Sequence, residues 1–170
     1  VSAEVRPELP KVIDLFAGCG GLALGFQLAK FDVLAGFDSW KCAVETYTAN
    51  LGHPATQLDL GDVEATIAAL EQFETDEAPF PAIVGGPPCQ DFSSAGSRVE
   101  GARADLTEKF AAVVARFNPP FFVMENVARA ATSAAFERAV SVLEEAGYTV
   151  DKVVLDASLC GVPQKRKRLI

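Results

Sequence analysis

The stretch Val12-Ile13-Asp14-Leu15-Phe16-Ala17-Gly18-Cys19-Gly20-Gly21 decides how this chain folds. Val12 to Phe16 is a short apolar run of strand character, and Gly18, Gly20 and Gly21 punctuate the turn behind it. Leu22, Phe26 and Ala29 then recur at helical spacing. Strand, glycine turn and amphipathic helix together open an α/β unit. The glycines let the backbone turn sharply and approach a ligand closely. The helix start adds N–H groups and a positive dipole end, suited to a carboxylate or phosphate.

The same alternation runs outward from this turn. Val33 to Phe37 predicts a second strand, and Trp40, Ala43, Val44, Tyr47 and Leu51 mark a helix face that Gly52 and Pro54 stop. A brief strand near Thr56 to Leu58 precedes a helix with Val63, Ile67 and Leu70 on one side. Ala82 to Val84 predicts a strand running into Gly85-Gly86-Pro87-Pro88, followed by a polar loop over about 90–104. Phe110, Val113, Val114 and Phe117 form a helical stripe, and Phe121 to Met124 a buried strand. Phe136, Val140 and Leu143 give a further helix closed by Gly147, and Val150 to Leu155 a strand. Arg168-Leu169-Ile170 reads as the start of one more strand, so the sheet is expected to be truncated before its last strand. Residues 1–10 read as a leader and 11–170 as one domain. The pattern predicts a doubly wound, mostly parallel α/β sheet with ligands at the carboxyl ends of its strands.

Composition narrows the function classes. With 49% hydrophobic and 22% charged residues, the chain is of globular rather than disordered type. No apolar run approaches the ~20 residues of a membrane span, and a cytoplasmic or nucleoid-associated protein is expected. Cys19, Cys42, Cys89 and Cys160 lie far apart with His53 the sole histidine, which speaks against a zinc cluster or a disulfide scaffold. No metal is expected. The net charge of −8 argues, by itself, against a nucleic-acid surface.

Polar motifs gather where strands end. Asp38 closes the second strand, where an acid grips ribose hydroxyls; a glycine turn plus an acid is shared by NAD, FAD and S-adenosylmethionine proteins. The turn lacks the GxGxxG order a nicotinamide oxidoreductase would need. Gly85-Gly86-Pro87-Pro88 fixes an unusual backbone, which has a purpose if Cys89 must be aimed as a nucleophile. Cys19, Cys42 and Cys160 read instead as buried, inert cysteines. Glu125 ends an otherwise uncharged strand, where desolvation would make it a proton donor. Asn126 beside it is placed to orient the loop. In Gln164-Lys165-Arg166-Lys167-Arg168, an extended backbone puts Gln164, Arg166 and Arg168 on one face.

DLFAGCGG at 14–21, GGPPCQDFS at 85–93, MENV at 124–127 and QKRKR at 164–168 occur in the order and setting of the cytosine-5 DNA methyltransferases, and the chain resembles that family over nearly its whole length. The resemblance implies a Rossmann-like fold with S-adenosylmethionine as cofactor. It implies that Phe16 packs on adenine in the Ala17–Gly21 turn, with Gly18 and Gly20 near the methionine part and Ala17 and Gly21 completing the cradle. Asp38 would bind the ribose hydroxyls and Asp59 the adenine amino group, while Pro88 and Leu106 would line the pocket. Cys89 would be the nucleophile, Glu125 the partner of cytosine N3, and Arg166 with Arg168 the anchors of loop and base. Double-stranded DNA is the implied partner, together with a C-terminal target-recognition region or a separate complementing subunit. A tRNA cytosine-5 methyltransferase of the same family and a non-catalytic subunit of a split methyltransferase are the alternative readings.

Overall fold

The computed structural model describes residues 9–88 and 105–170; Cys89 and the loop at 90–104 lie outside the described residues. β1 (Lys11–Leu15) leads into α1 (Gly21–Leu28), β2 (Asp32–Asp38) into α2 (Lys41–Asn50), and β3 (Ala55–Gln57) into α3 (Val63–Leu70). Then come β4 (Ala82–Gly85), α4 (Asp105–Phe117), β5 (Phe122–Met124), β6 (Asn126–Val127), α5 (Ala134–Glu145), β7 (Val154–Asp156) and β8 (Lys167–Leu169). The first five strands form one sheet in the order β3-β2-β1-β4-β5, and every pairing in it is parallel. The chain moves outward from β1 to β3, then returns to the other side of β1 for β4 and β5. That reversal beside β1 opens a crevice at the carboxyl ends of the strands.

Alternating side chains divide the core between the two sheet faces. Ile13, Leu15 and Ile83 pack with Leu70 of α3, Phe110, Val113, Val114 and Phe117 of α4, and Phe136 and Leu143 of α5. Val12, Val33, Ala82 and Val84 pack with Ala23 of α1 and Tyr47 of α2. A register shift lies between Val12, opposite Val33, and Ile13, opposite Ala35. The extra residue, Leu34, turns β2 over, so Val33 belongs to one core while Ala35 and Phe37 belong to the other. The helix α5 ends as expected at Gly147, whose φ is +96°. The Gly147 and Tyr148 amides donate to the carbonyls of Glu144 (2.9 Å) and Leu143 (3.1 Å), a paired closure that spares both carbonyls from water.

Several expectations need correction. Residues 167–169 do not extend the main sheet: β8 is the central strand of a separate antiparallel sheet, β6-β8-β7. The connection from β7 holds a short 3-10 turn, Ala157–Leu159, and Gly161 at φ +83°. So short a link returns the chain antiparallel, because a parallel crossover needs a dozen or more residues. The run 150–155 is a strand only from Val154, although Val153 and Ile170 exchange two backbone bonds of 2.9 Å. Trp40 is no part of a buried helix face; it precedes α2 in extended conformation and is 65% exposed. Cys19, Cys42 and Cys160 are exposed rather than buried, because each falls on a turn or on the outer face of a helix start. No helix among the described residues is long and apolar enough to cross a membrane.

The α4 stripe carries the larger core, with Phe110 1% exposed and its ring edge at the β4 terminus beside Gly85. Replacing Phe110 by alanine is expected to lower the unfolding free energy by about 3–5 kcal/mol in urea titration. A loss under about 1 kcal/mol would mean that this ring is not a core element.

Candidate functional site

The turn after β1 is built from left-handed backbone. Phe16 (φ +57°), Gly18 (+52°) and Gly20 (+89°) all take it, and Phe16 does so despite its side chain. Main-chain and carboxylate bonds hold it. The Ala17 amide donates to the Phe37 carbonyl (3.0 Å), and the Gly20 amide to the Ala17 carbonyl (2.9 Å). The Gly18 amide donates to Asp38 Oδ2 at 2.8 Å, while the Trp40 amide donates to Asp38 Oδ1 at 2.8 Å. Asp38 therefore clamps the turn to the end of β2 and keeps lone pairs on both oxygens for further donors. No described side chain caps α1, and its first turn holds no acid, so its positive end is left for an anion.

The adjoining rim comes from the segment after β3. The Leu58 amide donates to the Asp38 carbonyl (2.9 Å), which brings Asp59 alongside Asp38. Asp59 Oδ1 accepts from the Gly61 amide at 2.9 Å. A Cβ on Gly61 would lie 3.0 Å from Asp59 Oδ1 and 3.6 Å from Leu106 Cδ2, so Asp59 and Leu106 flank the same glycine. Phe16, Ala17, Gly18, Gly20, Gly21, Asp38 and Asp59 thus follow the β1, β2 and β3 ends along one sheet rim, and Leu106, at the start of α4, joins them beside Gly61.

Across the reversal point, β4 and β5 build a second cluster. Gly85 sits so close to the Leu15 carbonyl that no side chain fits there, and the Glu125 amide donates to the Gly85 carbonyl at 2.8 Å. A Cβ on Gly86 would lie 3.3 Å from Glu125 Oε2. Asn126 is 2% exposed; its Nδ2 donates to the Pro87 carbonyl (3.3 Å), and its Oδ1 accepts from the Val127 amide (2.8 Å). Asn126 therefore ties β6 to Pro87, while the loop it was expected to orient lies outside the described residues. Pro87 is buried, and Pro88 faces solvent.

Glu125 does not sit in the apolar surroundings that its strand suggested. Its side chain is 28% exposed, and Arg168 Nε lies 2.7 Å from Glu125 Oε1, with Arg166 Nη2 at 4.0 Å. The carboxylate is held as a charge-assisted pair. Arg166 and Arg168 both turn toward Glu125, as alternation required, although only Arg168 lies within β8; Arg166 and Gln164 precede it.

Two residues at this rim escaped the sequence reading. Trp40, exposed directly beside Asp38, was assigned to a helix face; its position two residues after a strand-ending acid was the available signal. Asp14 is an isolated acid inside an apolar strand, and it is fully buried with neither carboxylate oxygen hydrogen-bonded among the described residues. Burial drives its pKa up to about 7. The Ala23 amide in the first turn of α1 lowers it somewhat without reaching hydrogen-bond geometry, and nearby Asp38 raises it.

Comparison with known proteins places this geometry. The family profile described as C-5 cytosine-specific DNA methylase matches residues 10–170. The chain is 50% identical over 159 residues to the type II methyltransferase M.HgiDI of Herpetosiphon aurantiacus, covering 93% of this chain and 50% of that one. It is 46% identical over 130 residues to M.HgiGI of the same organism, covering 76% of this chain and 99% of that sequence. Among solved structures, an Escherichia coli protein described as a DNA modification methyltransferase encoded within a prophage superposes with a TM-score of 0.78 at 31% identity, covering 94% of this chain and 45% of that one. Dnmt2 methyltransferase of S. pombe superposes at 0.73 with 23% identity, covering 94% and 48%, and shares the fold. The chain spans about half the length of most of these relatives.

Asp14 gives a testable pH dependence. Its folded-state pKa of about 7 stands above the unfolded value of 3.8, so the folded state binds the extra proton between those limits. Stability from this group is then greatest in acid and falls as pH rises through about 7, by an amount on the order of 4 kcal/mol when ionisation is complete. Asp14→Asn should unfold at a higher temperature than the wild type at pH 8.5, and the advantage should shrink progressively toward pH 4. A constant difference across that range would show that Asp14 carries no such penalty.

Proposed function

The chain belongs to the C-5 cytosine-specific DNA methylase family, and on that premise we propose that it transfers a methyl group from S-adenosylmethionine to carbon 5 of cytosine in double-stranded DNA. One observation carries the reading. A cradle built on the Gly18–Asp38 bond and the Gly85–Pro88 segment tied to Glu125 lie on the same sheet rim, on either side of the topological reversal.

The cradle residues fit the cofactor's chemistry. The uncapped α1 start suits its carboxylate; Asp38 and Asp59 have acceptor capacity for ribose hydroxyls and the adenine amino group; Phe16, Pro88 and Leu106 offer apolar surface to the purine. Ala17, Gly18, Gly20 and Gly21 let the main chain approach it. When bound, S-adenosylmethionine supplies an electrophilic methyl group.

The remaining residues act on the base. Cytosine carbon 5 is too poor a nucleophile to accept the methyl group directly. The Cys89 thiolate forms a bond to carbon 6, which places the electron pair on carbon 5. Glu125, once it has taken a proton from water, donates it to N3 and so neutralises the charge that develops in the ring, while Arg168 keeps Glu125 in place and, with Arg166, holds the base. After methyl transfer a water molecule takes the carbon-5 proton, and the electron pair of that bond reforms the ring double bond and expels the Cys89 thiolate from carbon 6. The base must leave the duplex stack for these atoms to meet, at a cost of a few kcal/mol.

The proposed unit is residues 11–170, with 1–10 as a leader. A net charge of −8 supplies little attraction for phosphate, so most duplex contacts are assigned to a target-recognition region, either in the same polypeptide or in a complementing subunit. Exposed Lys165, Arg166 and Lys167 are this unit's own contribution.

With the full enzyme, duplex DNA carrying 5-fluorocytosine at the target should trap a covalent adduct that Cys89→Ser abolishes. An adduct on Cys89→Ser would assign the nucleophile elsewhere. Asp38→Ala should weaken S-adenosylmethionine binding roughly tenfold to a hundredfold in calorimetric titration, the value of one or two charge-assisted bonds. Unchanged affinity would remove Asp38 from the cradle.

A further inference from the structure

We infer that Tyr47 is a positioning residue that sets the width of the cofactor cradle, its ring acting as the spacer on which both walls rest. The inference builds on the reading that the cradle binds S-adenosylmethionine.

Tyr47 stands on α2 and is completely buried. Its ring lies against two glycines, one from each wall. A Cβ on Gly20, in the turn after β1, would meet Leu51 Cδ1 first and would come within 2.9 Å of Tyr47 Cδ2. A Cβ on Gly36, in β2, would come within 2.6 Å of Cζ and 2.8 Å of both Cε2 and the hydroxyl oxygen. Gly20 also needs its left-handed backbone at φ +89°. Gly36 takes no such conformation, so the ring is the reason that a side chain is excluded there.

Those glycines flank the clamp. Gly20 follows Gly18 by two residues, Gly36 precedes Asp38 by two, and the Gly18 amide bonds Asp38 across the gap at 2.8 Å. The Tyr47 ring closes the same frame from below. Its own orientation is fixed by a 3.0 Å hydrogen bond between the hydroxyl and His53 Nδ1, and the His53 ring meets it edge-on. A smaller residue at 47 would free the Gly36 wall to move inward and leave Leu51 as the remaining support behind Gly20, and the clamp would lose its set length.

The test is a double-mutant comparison on the full enzyme, read by calorimetric binding of S-adenosylmethionine and by turnover, with thermal unfolding as the control for folding. Tyr47→Phe keeps the ring and should bind within about twofold of wild type. Tyr47→Leu should bind about tenfold more weakly, raising the KM for the cofactor with kcat at saturation changed less than about threefold. Gly36→Ala should weaken binding at least as much, and Gly36→Ala combined with Tyr47→Leu should bind more tightly than Gly36→Ala alone, because the new methyl enters the space the ring has left. A double variant no better than Gly36→Ala, or a folded Tyr47→Leu that binds as the wild type does, overturns the inference. Should Tyr47→Leu not fold, the comparison of Gly36→Ala with the double variant decides it against the spacer role if the double variant is also lost. Wild-type enzyme that fails to bind S-adenosylmethionine overturns the cofactor reading itself.

Discussion

The bond from the Gly18 amide to Asp38 Oδ2 is the constraint on which the cradle depends. β1 and β2 are paired in parallel, and parallel pairing alone leaves the turns beyond the two strand ends unlinked. The Asp38 carboxylate ties the two ends together, taking one amide from each segment on its two oxygens. The bulge at Leu34 is part of the same arrangement. Without that extra residue Phe37 would fall on the α1–α2 face, and Gly36 would no longer meet Tyr47. A local irregularity in β2 therefore lets one strand seal the larger core with Phe37 and receive the α2 ring at Gly36.

Asp14 shows a stability cost inside this frame. A carboxylate with no hydrogen-bond partner among the described residues sits beneath α1, close enough to Tyr47 for its charge to raise the phenol pKa, after burial itself. A leucine there would be the better core residue on transfer grounds. Asp14 lies instead under the uncapped start of α1, and the Ala23 amide there is the one group among the described residues that lowers its pKa. The cradle side of the protein is accordingly acidic, with Asp14, Asp38 and Asp59 at or under one rim. Across the reversal point Arg168 on β8 and Arg166 just before it face Glu125.

The main sheet was legible because two periods compete visibly in this sequence. Strand runs such as Val12 to Leu15 and the Phe110, Val113, Val114, Phe117 stripe each fit a single repeat, and the glycines mark where one gives way to the other. The cradle was legible for a related reason: Gly18, Gly20 and Asp38 occupy strand ends, and strand ends are where an open α/β sheet binds. What periodicity could not supply was pairing partners. Lys167 to Leu169 look like any short strand, and only the length of the connection from β7 tells that they pair antiparallel in a second sheet. The environment of Glu125 was misjudged for the same reason. Its apolar neighbours in sequence suggested desolvation, whereas its neighbours in space include Arg168, more than forty residues away. Trp40 and the three exposed cysteines were misread where a helix-period or composition rule was applied to a turn.

The second sheet explains why two motifs so far apart behave as one. β6 begins one residue after Glu125, and β8 pairs with it so that Val127 opposes Arg168 and Asn126 opposes Leu169. That register fixes Arg168 beside Glu125 through the backbone, before any attraction between the charges is counted. The same β6 carries Asn126, whose amide reaches the Pro87 carbonyl. One short ladder thus links the loop leading to residue 89, the carboxylate and the arginines. A displacement of β8 by one residue would move Arg168 to the opposite face and put Lys167 or Leu169 toward Glu125. Leu169 is 2% exposed, within the larger core. Its burial holds the register, so core packing is what keeps the guanidinium at the carboxylate.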